Sequence, residues 1–176
     1  MNKKQILVTG GTGYLGSHIC LELLANNYEL LVIDNLVNSK ISTINFIEEI
    51  SLKKFKFYQI DIRDHKALKE VFLKNNISAV IHLAALKSIS ESLLDPYEYY
   101  DVNVSGLITL LRVMENHGVK NLIFSSSAVV YGPQAIQPIT EQASLCPDNP
   151  YAFTKSNGEE IISSLVNENK LVAGVL

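Results

Sequence analysis

The 176-residue sequence predicts a single α/β domain, residues 1–176, built on a doubly wound parallel sheet. Short runs rich in Val, Ile and Leu alternate with amphipathic stretches, and a glycine-rich turn joins the first run to the first stretch. Several runs are apolar at nearly every position, which is typical of parallel strands covered by helices on both faces. The composition, 47% apolar and 19% charged, is that of an ordinary globular protein with one core.

The predicted strands and helices alternate along the chain. A strand at Gln5–Thr9, a helix at about 13–26 and a strand at 29–33 open it as a βαβ unit. The later strands are predicted at 56–60, 79–83, 121–125 and 171–176, and the later helices at 39–50, 64–74, 97–117 and 151–167. Right-handed crossovers then favour the Rossmann-like strand order 3-2-1-4-5-6, with ligands at the carboxyl edge where the order reverses.

The predicted helix at 97–117 follows Asp95-Pro96, a typical helix start. Its apolar side chains recur at helical spacing, so they pack in the core or partly pair with a second subunit in a homodimer; they are Tyr100, Val104, Leu107, Leu111 and Met114. The helix at 151–167 is a second candidate for that contact. Because an enzyme of this architecture normally continues past a strand like 171–176, we expect a C-terminal substrate region to be missing.

Composition excludes several classes of protein. A net charge of −3 gives no broad positive field for nucleic acid or an anionic membrane. No apolar run reaches the roughly 20 residues that cross a bilayer, and the start, 1–5, has no signal-peptide core, so we expect a cytoplasmic protein. Cys20 and Cys146 lack a C-x-x-C partner or a histidine cluster, which favours structural or incidental thiols and no metal site.

A glycine turn follows the first predicted strand. Gly10, Gly13 and Gly16 form G-x-x-G-x-x-G between that strand and a helix. Gly10 suits a tight turn, Gly13 a close approach of a pyrophosphate, and Gly16 close helix–strand packing, while the helix N-terminus offers free N–H donors. Glycine-rich turns are common by themselves, so the inference of a dinucleotide site needs further residues.

Asp34 is the first of those residues. It ends the second strand about 20 residues after the glycines, where a carboxylate can accept hydrogen bonds from the adenosine ribose. A ribose phosphate would meet negative charge there, which favours NAD over NADP, although Lys40 lies close in sequence. The alternative is a plain turn residue before Asn35.

Tyr151 and Lys155 lie four residues apart, hence on one face of a predicted helix. A phenol ordinarily titrates near 10, so Tyr151 needs a neighbouring cation to serve as a general base near neutral pH. Lys155 supplies that charge and can also hold the nicotinamide ribose. Such pairs often arise by chance on helix surfaces, so the assignment depends on the other motifs.

The run 124–132 follows a buried-looking strand and presents hydroxyl groups at the carboxyl edge of the sheet. We choose Ser127 as the residue that hydrogen-bonds the reacting oxygen of the substrate. The alternative is that these serines only cap turns.

In this order, the motifs resemble the extended short-chain dehydrogenase/reductases over essentially the whole chain, and within them the UDP-glucose 4-epimerase family. The closer matches are at 8–18, 34–39, 82–88, 98–106 and 125–132. The resemblance implies that NAD is held by Gly10, Gly13, Tyr14, Leu15, Gly16, Asp34, Asn35, Leu36, Val37, Asn38, Ser39, Asp61, Ile62, Leu83, Ala84, Ala85, Leu86, Lys87, Asn103, Tyr151 and Lys155. It also implies that Lys87, Ser127 and Tyr151 contact substrate.

The chemistry implied by this resemblance interconverts UDP-glucose and UDP-galactose in galactose metabolism. The base takes the proton of the sugar's 4-hydroxyl while C4 gives a hydride to NAD, which later returns it on the other face. The related 4,6-dehydratases carry an Asp-Glu pair after the active-site Ser or Thr, where this chain has Ala128 and Val129, neither of which moves a proton. Two departures from the epimerase pattern, Leu83-Ala84-Ala85 and Val102, affect expected nicotinamide contacts.

Two other interpretations stay open. The chain is a non-catalytic NAD-binding module or remnant, or it comes from another NAD-dependent nucleotide-sugar epimerase or dehydratase. The family region that binds uridine diphosphate and sets sugar choice lies beyond these residues by the same resemblance.

Overall fold

Six parallel strands form one sheet in the order β3-β2-β1-β4-β5-β6 in the computed structural model, which describes residues 5–176. The predicted doubly wound fold and strand order are therefore confirmed. The prediction on residues 1–4, an opening without a signal peptide, lies outside the described residues. The strands are β1 (Gln5–Thr9), β2 (Glu29–Asp34), β3 (Lys56–Gln59), β4 (Ile77–His82), β5 (Asn121–Phe124) and β6 (Val172–Val175).

Seven α-helices cover the two faces of this sheet within residues 5–176. They are α1 (Tyr14–Ala25), α2 (Ser42–Ser51), α3 (His65–Lys74), α4 (Ile89–Leu94), α5 (Pro96–Tyr100), α6 (Gly106–Asn116) and α7 (Pro150–Asn167). Polar side chains cap four of them: Asp64, Ser88, Asp95 and Asn149 each accept a backbone N–H from the first turn of α3, α4, α5 and α7. Proline follows two of these caps, at the helix position that needs no N–H donor.

The predicted helix at 97–117 differs in detail from the observed one. A π-helical turn, Asp101–Ser105, connects α5 to α6, so the helical segment is continuous but widened at its centre. Sequence periodicity did not predict this turn, because apolar spacing indicates a helical segment but does not distinguish a single π-helical turn within it. The short helix α4 and a 3-10 turn at Ala128–Tyr131 were likewise not predicted.

The apolar core lies on both faces of the sheet. Successive strand residues point to opposite faces, so Leu7 and Val80 pack under α3, α6 and α7, while Val8 and Ile81 pack under α1 and α2. All four are at most 8% exposed. Burial on both faces explains why the strands are apolar at nearly every position, and it leaves the carboxyl edge of the sheet for polar chemistry.

Within residues 5–176, no helix has the length and hydropathy that crossing a bilayer requires.

Candidate active site

The glycine turn between β1 and α1 brings two backbone segments closer than side chains permit. A Cβ atom on Gly16 would lie 2.2 Å from the carbonyl oxygen of Gly10, and one on Gly10 would lie 2.7 Å from the backbone nitrogen of Ala84. Gly10 also has φ +73°, in the left-handed region that favours glycine. Gly13 is the N-cap of α1, so the helix presents its first-turn N–H groups at the carboxyl edge of the sheet.

Asp34 joins this turn to the loop that follows β2. Its Oδ2 accepts the backbone N–H of Thr12 (3.2 Å), and its Oδ1 accepts the N–H of Leu36 (2.9 Å) and the hydroxyl of Ser39 (3.1 Å). The Ser39 and Thr12 hydroxyls are 2.7 Å apart. Asp34 therefore does form a turn, the alternative considered for it, and the same carboxylate also fixes the glycine turn. Sequence analysis missed Thr12, since nothing local marks its partners in the 34–39 loop.

A cavity of roughly 360 Å³ opens at the carboxyl edge beside this turn. Most of the predicted cofactor residues line it, namely Gly10, Gly13, Tyr14, Leu15, Gly16, Asp34, Asn35, Val37, Asn38, Ser39, Ile62, Leu83, Ala84, Ala85, Leu86, Lys87, Tyr151 and Lys155. Sequence analysis did not choose three further lining residues, Ile60, Val102 and Ser125. The predicted residues Leu36, Asp61, Asn103 and Ser127 are outside that lining and lie next to it in the chain or the fold.

Asp61 is held by Arg63 behind the part of this cavity that Asn35 lines. Arg63 donates from Nε (3.0 Å) and Nη2 (2.9 Å) to Asp61, and from Nη1 to Glu98 (3.2 Å) and Asp101 (2.7 Å). The hydrogen bonds from Arg63 lower the pKa of Asp61 to about 2. Asp61 in turn accepts the Asn35 amide (3.1 Å), so this carboxylate orients a cavity residue. Through Arg63 it also links the loop after β2 to α5 and the π-helical turn.

Asn103 connects two walls of the cavity from within the π-helical turn. Its Oδ1 accepts the N–H of Leu86 (2.8 Å), and its Nδ2 donates to the carbonyl of Leu86 (2.9 Å) and the hydroxyl of Thr154 (3.0 Å). Thr154 donates to the carbonyl of Tyr151 at 2.7 Å. Asn103 is 4% exposed. It holds the 83–87 loop against α7 at the turn that carries Tyr151.

Tyr151 and Lys155 lie one turn apart on α7, and both face the cavity. The Tyr151 ring packs edge-on against Tyr99, with centroids 6.4 Å apart. The Lys155 ammonium donates to the carbonyl of Ser125 (2.7 Å) and lies 4.9 Å from the centre of the Phe124 ring. Burial lowers the pKa of Lys155 to about 8, so the side chain is mainly protonated at neutral pH.

His82 also packs on Phe124, with the two rings stacked and their centroids 5.9 Å apart. Its Nδ1 is 2.7 Å from the Thr9 hydroxyl. Burial, and then the charge of Lys155, lower the pKa of His82 to about 3. The imidazole is therefore neutral at physiological pH and adds no positive charge next to Lys155.

The two cysteines play no visible part in this cavity. Cys20 is buried beneath the glycine turn, where burial raises the pKa of its thiol to about 12, and Cys146 is exposed. Neither forms a disulfide within the described chain, 5–176. In the same residues, no three His, Cys, Asp or Glu side chains gather as a metal site.

Comparison with known proteins places the chain in a family. Residues 6–176 match the sequence model of the NAD dependent epimerase/dehydratase family. The chain belongs to this family. It is 48% identical to UDP-glucose 4-epimerase of Bacillus subtilis over 91% of the chain and 47% of that protein, and 46% identical to that of Dictyostelium discoideum over 92% of the chain and 47% of the protein. The resemblance inferred from the motifs is confirmed.

Solved structures of this family superpose closely on the chain. A UDP-glucose 4-epimerase of Stenotrophomonas maltophila with bound NAD and formylated UDP-arabinopyranose gives a TM-score of 0.95 at 41% identity, over 98% of this chain and 52% of that one. A Bifidobacterium longum UDP-glucose 4-epimerase in complex with NAD+ and UDP gives 0.94 at 40% identity, with coverage of 98% and 52%. The chain spans about half the length of the curated relatives it matches.

The geometry of this member of the epimerase/dehydratase family fits a dinucleotide. Glycines stand where a Cβ would collide with backbone, a helix N-terminus meets the cavity, and a buried carboxylate, that of Asp34, lines it next to the glycine turn. These are the features that a pyrophosphate and a ribose diol require.

Proposed function

We propose that the chain is the cofactor-binding half of a UDP-glucose 4-epimerase, an isomerase that interconverts UDP-glucose and UDP-galactose with NAD. One observation carries the proposal: the glycine turn, Asp34, Tyr151 and Lys155 line a single cavity. These residues are distant in sequence, and their convergence on one cavity is what a single ligand site requires. The named UDP-glucose 4-epimerases among the relatives support the same activity.

The cavity suggests a placement for NAD along its length. The glycine turn and the start of α1, with Tyr14 and Leu15, would hold the pyrophosphate, and Asp34 to Ser39 the adenosine ribose. Ile60 and Ile62 would border the adenine, with Asp61 acting through Asn35. The 83–87 loop, Tyr151 and Lys155 would surround the nicotinamide half. When bound, NAD supplies a hydride acceptor for C4 of the sugar.

The protein's own residues would then move the proton. Tyr151 would take the proton of the 4-hydroxyl as general base, and the Lys155 ammonium one turn away would stabilise the phenolate. Ser127, half-buried at the start of the 3-10 turn, would hydrogen-bond the reacting oxygen, and Lys87 would contact the sugar nucleotide. Leu86 is fixed by Asn103 on the same wall, so Asn103 would act on the cofactor through that backbone.

The same geometry disfavours a 4,6-dehydratase. That reaction needs an additional acid and base next to the active-site hydroxyl. In the 3-10 turn those positions are Ala128 and Val129, whose side chains carry no exchangeable proton. Epimerisation needs no such pair.

The activity is tested on the full-length protein. Supplied with UDP-galactose, it should form UDP-glucose without added NAD, and denaturation should release bound NAD detectable by absorbance. Absence of UDP-glucose together with normal NAD release would leave the non-catalytic NAD-binding module as the function.

Asp34→Ala should change the choice of cofactor as well as its affinity. Loss of the carboxylate removes a ribose partner and also the bonds to Thr12, Leu36 and Ser39, so the Kd for NAD should rise about 10-fold or more. Loosening of the 34–39 loop should weaken the binding of NAD and of NADP alike, whereas loss of the Asp34 charge should favour the binding of NADP only. The ratio of the two Kd values, measured by calorimetry, should therefore move toward NADP. Asp148→Ala, in the loop before α7, is the control, and an unchanged ratio would contradict the ribose role.

We also propose a homodimer formed through α6 and α7. Beside these helices lies an apolar groove of about 230 Å³ that includes Ile108, Leu111, Ile161 and Leu165, and Phe153 and Val166 on α7 are exposed. Sedimentation of the full-length protein at twice the monomer mass would support this.

The two unpaired cysteines fit a reducing compartment such as the cytoplasm, where we propose the enzyme acts.

A further inference from the structure

The three consecutive serines after β5 make three different contacts. The carbonyl of Ser125 accepts the Lys155 ammonium at 2.7 Å. The hydroxyl of Ser126 donates to the carboxylate of Glu159, and its backbone N–H donates to the carbonyl of Leu176 at 2.7 Å. Ser127 begins the 3-10 turn. The middle serine, which does not line the cavity, is therefore the one whose hydroxyl is bound to α7.

Glu159 lies four residues after Lys155 on α7, hence on the same side of the helix one turn further on. It is only partly buried, and the candidate mechanism gives it no role. Glu159 nevertheless contacts the serine segment through Ser126, and its carboxylate acts electrostatically on Lys155 without forming an ion pair with it. Its charge opposes the burial that lowers the pKa of Lys155.

We propose that Glu159 is a positioning residue of the candidate active site, which through Ser126 fixes the Ser125–Ser127 segment against α7 and places a balancing negative charge beside Lys155. The first half of the proposal concerns where Ser127 and the Ser125 carbonyl lie. The second concerns the charge state of Lys155. Only their effect on turnover rests on the proposed epimerase function.

The charges around Lys155 are few. The titratable groups on α7 are Glu159 and the Tyr151 phenol. From β4 comes the imidazole of His82, which is neutral above a pKa of about 3. Asp34 and Lys87 line the same cavity. From β5 the aromatic ring of Phe124 faces the ammonium. Glu159 raises the pKa of Lys155 and burial lowers it, so removing the carboxylate should lower the titration midpoint below about 8.

Two variants test the hydrogen bond to Ser126 and the charge of Glu159 separately. Glu159→Gln keeps an acceptor for Ser126 and loses the charge, whereas Ser126→Ala keeps the charge and loses the hydrogen bond. Glu160→Gln, on the exposed side of α7, is the matched control. Each is made in the 176-residue chain with 13Cε-labelled lysine, and the Lys155 signal is assigned by its loss in Lys155→Met.

In Glu159→Gln the NMR titration midpoint of Lys155 should fall by about 0.2 to 0.7 pH units, the size expected for losing a nearby, solvent-screened opposite charge, and it should not move in Glu160→Gln. In Ser126→Ala the midpoint should stay, while the backbone amide at position 126 exchanges with solvent about five-fold faster. An unmoved midpoint in Glu159→Gln, or unchanged amide exchange in Ser126→Ala, would overturn the proposal.

These measurements need neither substrate nor cofactor, so they remain decisive even if the full-length protein forms no UDP-glucose. If it does, the pH profile of kcat/KM in Glu159→Gln should move to lower pH in parallel with the Lys155 midpoint. A profile that stays in place while the midpoint moves would overturn the link to turnover.

Discussion

Replacing Tyr151 with Phe should lower kcat for UDP-galactose in the full-length protein by about 10²- to 10⁴-fold, the usual contribution of a general base. The substitution removes one oxygen from a side chain that is 8% exposed and keeps the ring that packs against Tyr99. The Kd for NAD should therefore change little. The measurement is a coupled assay of UDP-glucose formation, with NAD binding followed by calorimetry.

Tyr97→Phe is the matched control, since this phenol on α5 is 85% exposed and far more accessible to water than Tyr151. It should retain full activity. A Tyr151→Phe protein that turns over at the normal rate would remove Tyr151 as the base, and with it the central step of the proposed function.

Gly16→Ala should abolish measurable NAD binding and lower the free energy of unfolding by about 1–3 kcal/mol or more, the cost of overpacking. The new Cβ would stand 2.2 Å from the Gly10 carbonyl oxygen and 2.7 Å from the Gly11 Cα. Both are backbone atoms of the turn itself, so α1 must move away from the place where its N-terminus meets the pyrophosphate. Calorimetry with NAD and chemical denaturation measure the two effects.

A graded series of glycine variants provides the control. A Cβ on Gly13 would meet only the Gly10 carbonyl, at 3.3 Å, and one on Gly174 would meet no atom within 4 Å. Gly13→Ala should accordingly lower the free energy of unfolding less than Gly16→Ala, and Gly174→Ala should leave NAD binding unchanged. Equal losses of stability at Gly13 and Gly16 would show that close packing of α1 on the turn is not the origin of the effect.

Much of the fold could be predicted because its signals are local. The apolar runs reflect burial on both faces of the sheet, as Leu7 and Val8 show by packing on opposite sides. Asp95-Pro96 and Asn149-Pro150 mark helix starts with side chains that act within one turn. The π-helical turn has no such mark, because the widening is stabilised by tertiary contacts of residues such as Asn103.

The candidate site likewise contains residues that could be predicted from the sequence and residues that could not. The glycines, Tyr151 and Lys155 could be chosen because each group is defined by spacing within one helix or turn. Thr12 and Glu159 could not, because their partners Asp34 and Ser126 lie 22 or more residues away in sequence. Arg63 was missed because, besides its neighbour Asp61, it binds the distant Glu98. Such contacts depend on how elements pack, which periodicity does not encode.

The π-helical turn at Asp101–Ser105 lets one continuous helical segment pack against two sets of neighbouring helices. Each residue advances an α-helix by about 100°, so the extra residue of a π-turn rotates everything after it by about that angle. The α5 end packs on α4 and α7, and the α6 end packs on α3. Asp101 accepts from Arg63, and Asn103, two residues further along the same turn, donates to Thr154 on α7. One continuous helical segment therefore contacts both the Arg63–Asp61 pair and the helix that bears Tyr151.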